Sequence, residues 1–189
     1  MAKQLVESPS SRYFYPWPVV LVSCVDEQDK PNIITIGASS ICSSNPPTVG
    51  IAVGVAQYSL GLIERTGDFG VNLPTAEQLW QTDYCGSYSG RSMDKFEAVG
   101  FTPMPSTQIE APLIEQCPVS MECRLIHRVN LGNHDWLIGE IVAVHVDDSV
   151  LDDKQRLDPS KTRPLLAFWG EYWDIGQRLD KWHSSRQRT

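Results

Sequence analysis

Two short stretches of this 189-residue chain carry side chains suited to holding an anion. The first is Thr35-Ile36-Gly37-Ala38-Ser39-Ser40-Ile41-Cys42-Ser43-Ser44-Asn45-Pro46-Pro47, where glycine and hydroxyl residues crowd the space between two apolar runs. Such residues present backbone N–H groups and hydroxyls to an anion. The same composition also makes a polar turn between strands. The second is Ser87-Tyr88-Ser89-Gly90-Arg91-Ser92-Met93-Asp94-Lys95-Phe96. Here Ser87, Ser89 and Arg91 can donate to a phosphate, the arginine through a charged fork. A helix predicted from Ser92 would turn its free N–H groups to the same place. The competing reading is a capped surface helix beside a solvated arginine. Two such stretches in one small protein favour a phosphorylated ligand more than either does alone.

Other chemistries find little support. There is no GxSxG elbow for a serine nucleophile. Of the four histidines, His127 and His145 fall inside strand patterns, and no HExxH spacing occurs, so no metal site is expected. His134 differs, because it sits in the turn Asn130-Leu131-Gly132-Asn133-His134-Asp135, where a histidine has no packing duty. It is either a surface turn residue or a working one. The five cysteines, Cys24, Cys42, Cys85, Cys117 and Cys123, are odd in number and form no CxxC pair, so buried free thiols are expected. Cys42 and Cys85, set among small polar residues, are candidates for a pocket wall.

The elements that position these residues are mostly strands. Val19–Val25 and Asn32–Ile36, joined by Asp26-Glu27-Gln28-Asp29-Lys30-Pro31, read as a hairpin. Val119–Val129 and Trp136–Val146 read as a second hairpin. Further strands are expected near Thr48–Val55, Asp68–Leu73 and Leu165–Trp169. Helices are expected near Tyr58–Arg65 (with Ser59 as a cap), Ala76–Tyr84 and Ser92–Glu97. Strands arriving as hairpins favour an antiparallel barrel over a doubly wound sheet. Neither a GxGxxG fingerprint nor a P-loop is present. Trp17, Trp80, Trp136, Trp169 and Trp173 are read as core or interface filling, the last two in a segment able to close over a ligand.

The chain is 41% hydrophobic and 21% charged, which suits one domain with a real core. A net charge of −7 argues against a general nucleic-acid partner. No leader pattern and no apolar run of membrane-spanning length appears, so a soluble cytoplasmic protein is expected. The domain reading is an N-terminal arm over 1–14, the main domain over 15–176 and a tail over 177–189.

Taken in order, several of these stretches resemble the flavin reductase-like, FMN-binding split-barrel proteins, and more narrowly the flavoredoxin-type branch. The matching segments are Tyr15-Pro16-Trp17-Pro18-Val19-Val20-Leu21-Val22, Thr35–Pro46, Phe69-Gly70-Val71-Asn72, Asp83-Tyr84-Cys85-Gly86, Ser89–Phe96, and Gly132-Asn133-His134 with Gly139-Glu140. The resemblance implies a mainly β fold with added helices, a six-stranded antiparallel Greek-key-like split barrel working as a homodimer around FMN. It implies that Thr35, Ala38, Ser39, Ser40, Ser43, Asn45 and Pro46 line the flavin. Asn72 is then expected to reach the ring's polar edge or the ribityl chain, and Ser89 and Arg91 to hold the phosphate. His134 matches the histidine of the family's Gly-Asp-His turn, associated with the NADH or NADPH donor, with Asn133 here in place of the aspartate. The implied activity is acceptance of a hydride from NAD(P)H and delivery of electrons to an acceptor protein or an oxygenase. The alternatives are a non-enzymatic FMN-binding or interaction protein and a pyridoxamine-phosphate-oxidase-like enzyme. The Thr35–Ser40 segment and the Gly-Asn-His turn fit the reductase branch better.

Overall fold

The computed structural model of the protein describes residues 3–180. Of the expected tail, residues 181–189, with His183, lie outside the described residues, as do Met1 and Ala2 of the arm. The strands are β1 (Trp17–Pro18), β2 (Val20–Val25), β3 (Pro31–Ile36), β4 (Ser39–Ser44), β5 (Pro47–Gly54), β6 (Asp68–Leu73), β7 (Pro103–Met104), β8 (Leu113–Ile114), β9 (Val119–Asn130), β10 (His134–Val146), β11 (Leu166–Phe168) and β12 (Glu171–Trp173). The helices are α1 (Tyr58–Thr66), α2 (Leu79–Ser87), α3 (Lys95–Val99) and α4 (Pro159–Thr162).

Seven strands form one antiparallel sheet in the order β3-β2-β6-β9-β10-β5-β4. Strands β3 and β4 stand at opposite edges of that order, yet only Gly37 and Ala38 separate them in sequence. Three Cα steps span at most about 11 Å. The two edges must therefore meet, and the sheet is rolled into a barrel left unzipped along this line. Ala52 N–H donates to Ala38 O at 2.9 Å, holding the crossing in place.

Both expected hairpins are present, as β2–β3 and β9–β10. The expected barrel of six strands has seven in its sheet because the Ser39–Ser44 segment, read from sequence as loop or turn, is a strand. Serine has little intrinsic preference for strands, but here the backbone pairs with β5, from Ser39 opposite Ile51 to Ser44 opposite Pro47. Its side chains stay largely exposed.

The core explains why β2 reads as an unbroken apolar run. Val20, Val22 and Cys24 face the barrel interior with Ile34, Ile36, Ile51, Ile63, Phe69 and Leu137. Leu21, between them, faces the other way and packs with Ile33 against Cys85 of α2 and Phe96 and Val99 of α3. A strand buried on both faces shows no alternation. Helices α2 and α3 are thus fixed on the outer face of β2–β3, beside the hydroxyl-rich strand. The aromatic arm packs on the closing segment: Tyr13 lies edge-on to Trp169 (5.1 Å between centroids) and Tyr15 lies against Phe168 (4.2 Å). Trp136 covers Gly50, whereas Trp80, Trp169 and Trp173 remain exposed.

Candidate functional site

Strand β3 is the axis of the site. Gly86, at the end of α2, lies against Thr35, with an added Cβ meeting Thr35 Cβ at 3.1 Å. Four residues later Gly90 lies against Asn32, where an added Cβ would stand 1.9 Å from Asn32 Oδ1. The 86–91 segment therefore runs antiparallel along β3. At a strand rise of about 3.3 Å per residue, Asn32 and Thr35 are about 10 Å apart. Ser89 and Arg91 occupy the Asn32 end. The β3–β4 ribbon, with Ala38, Ser39 and Ser40, leaves from the Thr35 end.

At the first end Ser89 and Arg91 are exposed. Arg91 N–H donates to Ser89 Oγ at 3.3 Å and Ser92 Oγ donates to Ser89 O at 3.2 Å, which closes the loop into a tight turn. The Arg91 guanidinium stands 5.4 Å from the centroid of the Tyr58 ring. Burial, followed by the negative Asp26, pushes the Tyr58 phenol up from its ordinary value.

The helix expected from Ser92 begins instead at Lys95, with Asp94 as its N-cap. The Asp94 carboxylate accepts from Glu97 N–H at 3.2 Å, so the protein's own anion occupies that helix end. Lys95 is buried, and its ammonium donates to Ile33 O at 2.8 Å and Cys85 O at 2.7 Å. It ties α3 to β3 and to the end of α2, directly beneath the loop. Burial lowers its pKa from the ordinary lysine value. Sequence reasoning quoted Lys95 within a motif and gave it no role; its spacing from Ile33 and Cys85 carries no signal of this contact.

At the other end several predicted residues line up along one strand. Thr35 Oγ1 donates to Thr82 O at 2.5 Å, so this hydroxyl serves the α2 contact rather than facing outward. Ala38 is exposed. Ser39 Oγ donates to Pro18 O at 3.2 Å and Ser40 Oγ to Ile41 O at 3.3 Å. Ser43 Oγ accepts from Asn45 N–H at 3.2 Å, and Asn45 and Pro46 form the exposed hairpin tip. Strand β4 pairs on one side only, leaving backbone donors and acceptors on its outer edge.

Asn72 does not belong with them. It is fully buried, and its amide is saturated. Nδ2 donates to Leu21 O and Ser23 Oγ, each at 3.1 Å. Oδ1 accepts from Ile114 N–H at 2.9 Å and Ser120 Oγ at 2.8 Å. With two donors and two acceptor positions all engaged, Asn72 is a core cross-link between β2, β6, β8 and β9, and the expectation that it reaches a flavin is corrected.

His134 opens β10 and is exposed. Its Nδ1 lies 3.0 Å from Asn133 Oδ1. An amide oxygen only accepts, so as assigned Nδ1 donates and Nε2 lies outside this contact. The turn is held from three sides. Leu131 N–H donates to His134 O at 2.9 Å, and Val55 N–H donates to Asn133 O at 3.1 Å. Buried Asp135 takes Arg128 Nε and Asn130 Nδ2, each at 2.6 Å. Sequence reasoning left Arg128 and Asp135 without a role.

Of the cysteines, Cys24, Cys85, Cys117 and Cys123 are buried and Cys42 is exposed on β4. Burial pushes the Cys85 thiol up to about 11, so it is a protonated core group packed with Leu21 and Ile33, and no nucleophile. His145 Nε2 meets Glu122 Oε1 at 2.7 Å, a structural pair. Among the described residues no cluster of histidine, cysteine or carboxylate side chains could hold a metal ion, and no helix is long and apolar enough to cross a membrane.

The donor set suits a phosphorylated, hydroxyl-bearing cofactor such as FMN: a cationic fork and hydroxyls at one end, and an open-edged serine strand about 10 Å along β3. Comparison with known proteins points the same way. The family model described as the flavin reductase like domain matches residues 11–176. The solved flavoredoxin of Desulfovibrio vulgaris (Miyazaki F) superposes with a TM-score of 0.90 at 34% identity, covering 98% of this chain and 100% of that one. The flavoredoxin from Methanosarcina acetivorans superposes with a TM-score of 0.89 at 26% identity, covering 98% and 99%. A flavin reductase of Pseudomonas putida is 28% identical over 139 residues, 72% of this chain and 79% of its own. The rolled sheet with helices on its β2–β3 face and the match over residues 11–176 lead to one conclusion: this chain belongs to the flavin reductase-like family.

Proposed function

We propose that the chain binds FMN along β3 and, as a homodimer, takes electrons from NADH or NADPH, serving as a flavin reductase or flavoredoxin-like carrier. One observation carries the reading: the two hydroxyl-rich stretches, some 50 residues apart in sequence, converge on β3, with Gly86 against Thr35 on its outer face and Gly90 against Asn32 on its inner face.

In this reading Ser89 and Arg91 hold the phosphate, the arginine by charge-assisted hydrogen bonds. Ser39, Ser40, Ser43 and the open edge of β4 donate to and accept from the rest of the cofactor, with Ala38 keeping that surface low. Lys95 and Asn72 hold the scaffold and touch no ligand. His134 offers Nε2 to orient the nicotinamide donor, and the Arg128–Asp135–Asn130 set fixes its turn. Bound FMN supplies the hydride acceptance and electron release that side chains lack; the protein's share is binding, orientation and the placing of dipoles. Exposed Ile41 on β4, Ile126 on β9 and Val144 and Val146 on β10 supply apolar surface for the homodimer.

The test is titration of the protein with FMN, followed by flavin fluorescence, beside the Arg91→Ala variant. One FMN per chain is expected, with affinity in the variant weaker by about 1.5–3 kcal/mol. Equal affinity in both proteins would remove Arg91 from the site.

A further inference from the structure

A groove of about 770 Å³ crosses the outer side of α1, between the β2–β3 turn and the body of the barrel. Arg91 lies at one end. At the other are Arg128 and Val55, and the Val55 backbone bonds Asn133, so the groove runs from the phosphate loop to the turn that bears His134. The functional reading uses both ends and leaves the middle unexplained.

Gly61 lies in that middle. It is exposed within α1, and an added Cβ would meet no atom within 4 Å. Glycine is among the poorest helix formers, and no contact in this fold requires one here. Its missing side chain keeps the groove open.

The charges select what can lie there. Arg65 is committed to backbone, donating to Val25 O at 3.1 Å and Asp26 O at 2.6 Å. Arg128 is committed to Asp135 at 2.5 Å and to Glu64. The carboxylates of Asp26 and Glu27 line the groove and act on the Tyr58 phenol, with Arg91 acting on the same ring in the opposite sense; Asp26 Oδ1 also accepts from Gln28 N–H at 2.8 Å and Lys30 N–H at 3.0 Å. Carboxylates accept hydrogen bonds from ribose hydroxyls and repel a phosphate on the same sugar.

We propose that this groove seats the adenosine half of a nicotinamide donor lacking a 2′-phosphate, with Asp26 and Glu27 accepting from the ribose hydroxyls, so that the donor is NADH. The proposal rests on the reading of the chain as a nicotinamide-oxidising flavoprotein.

The test is calorimetric titration of the FMN-loaded protein with ADP-ribose and with 2′-phospho-ADP-ribose, in wild type and in Gly61→Gln. Glutamine is a better helix former than glycine and projects into the groove, so the variant is expected to melt no lower than wild type. ADP-ribose should bind at least tenfold tighter than its 2′-phosphate form, and Gly61→Gln should weaken ADP-ribose at least tenfold. Equal or tighter binding of the 2′-phosphate form overturns the proposal, as does unchanged ADP-ribose binding in a well-folded Gly61→Gln. Failure of the underlying reading is distinguishable. If neither NADH nor NADPH bleaches the flavin, that reading and this donor assignment fall together. Bleaching by NADH with intact ADP-ribose binding in Gly61→Gln overturns the groove alone.

Discussion

Asn32 and Gly90 approach so closely that a side chain on Gly90 would put its Cβ 1.9 Å from Asn32 Oδ1. The contact presses the Ser89–Arg91 loop onto the end of β3, and it fixes where a cation can stand relative to the serine strand at the other end. Gly90→Ala is therefore expected to lift the loop. FMN affinity should fall at least tenfold, about 1.4 kcal/mol, while the hydrophobic core is untouched. Fluorescence titration with FMN checks this, and wild-type affinity would show that the loop holds no ligand.

His134 is held by its turn and lies outside the β3 axis. Truncation by His134→Ala should leave FMN affinity within twofold of wild type and slow flavin reduction by the nicotinamide donor at least tenfold. Stopped-flow absorbance separates the two effects. Equal loss of FMN affinity would place His134 in the cofactor site instead.

Asn72 makes four hydrogen bonds from a fully buried position. Asn72→Ala strands the Ile114 N–H and the Ser120 hydroxyl in the core, and each unsatisfied buried group costs about 1–3 kcal/mol. We expect a loss of stability of about 3 kcal/mol or more in chemical denaturation, with the folded fraction still binding FMN normally. A stable variant with weak FMN binding would restore Asn72 to the site.

Asn72 owes its role to contacts distant in sequence. A polar residue in the apolar run Phe69-Gly70-Val71-Asn72-Leu73 looks like a site residue, because its partners lie 42 to 51 residues away and no local pattern announces them. The hairpins β2–β3 and β9–β10 were legible, since their apolar content and turn residues are local. Strand β4 was not, because four of its six residues are serine in a polar-looking run and pairing with β5 alone makes it a strand. The position of Ser89 and Arg91 was legible as an anion-friendly loop, but the helix behind it was shifted three residues by the Asp94 cap. Lys95 and Gly90 gain their roles only from contacts with β3.

Glu122 is a second buried carboxylate with a measurable consequence. Burial pushes its pKa up, but hydrogen bonds from Thr107, His145 and Gln108 outweigh that, and the net position lies below the ordinary 4.5. A carboxyl depressed on folding adds stability above its unfolded pKa, and that stability is lost as pH falls through the folded value. Denaturation series should therefore show stability falling with acid below about pH 4.5, with a shallower fall in Glu122→Gln. An unchanged acid slope in the variant would remove Glu122 from the acid response.

The most direct measurement is the visible spectrum of the FMN-loaded protein during anaerobic addition of each nicotinamide. We expect the bound flavin's visible band to bleach on adding NADH, faster than on adding NADPH, with the Arg91→Ala protein failing to retain the flavin at the same concentration. A purified protein that takes up no FMN, or bound flavin that neither nucleotide bleaches, would contradict the proposed function.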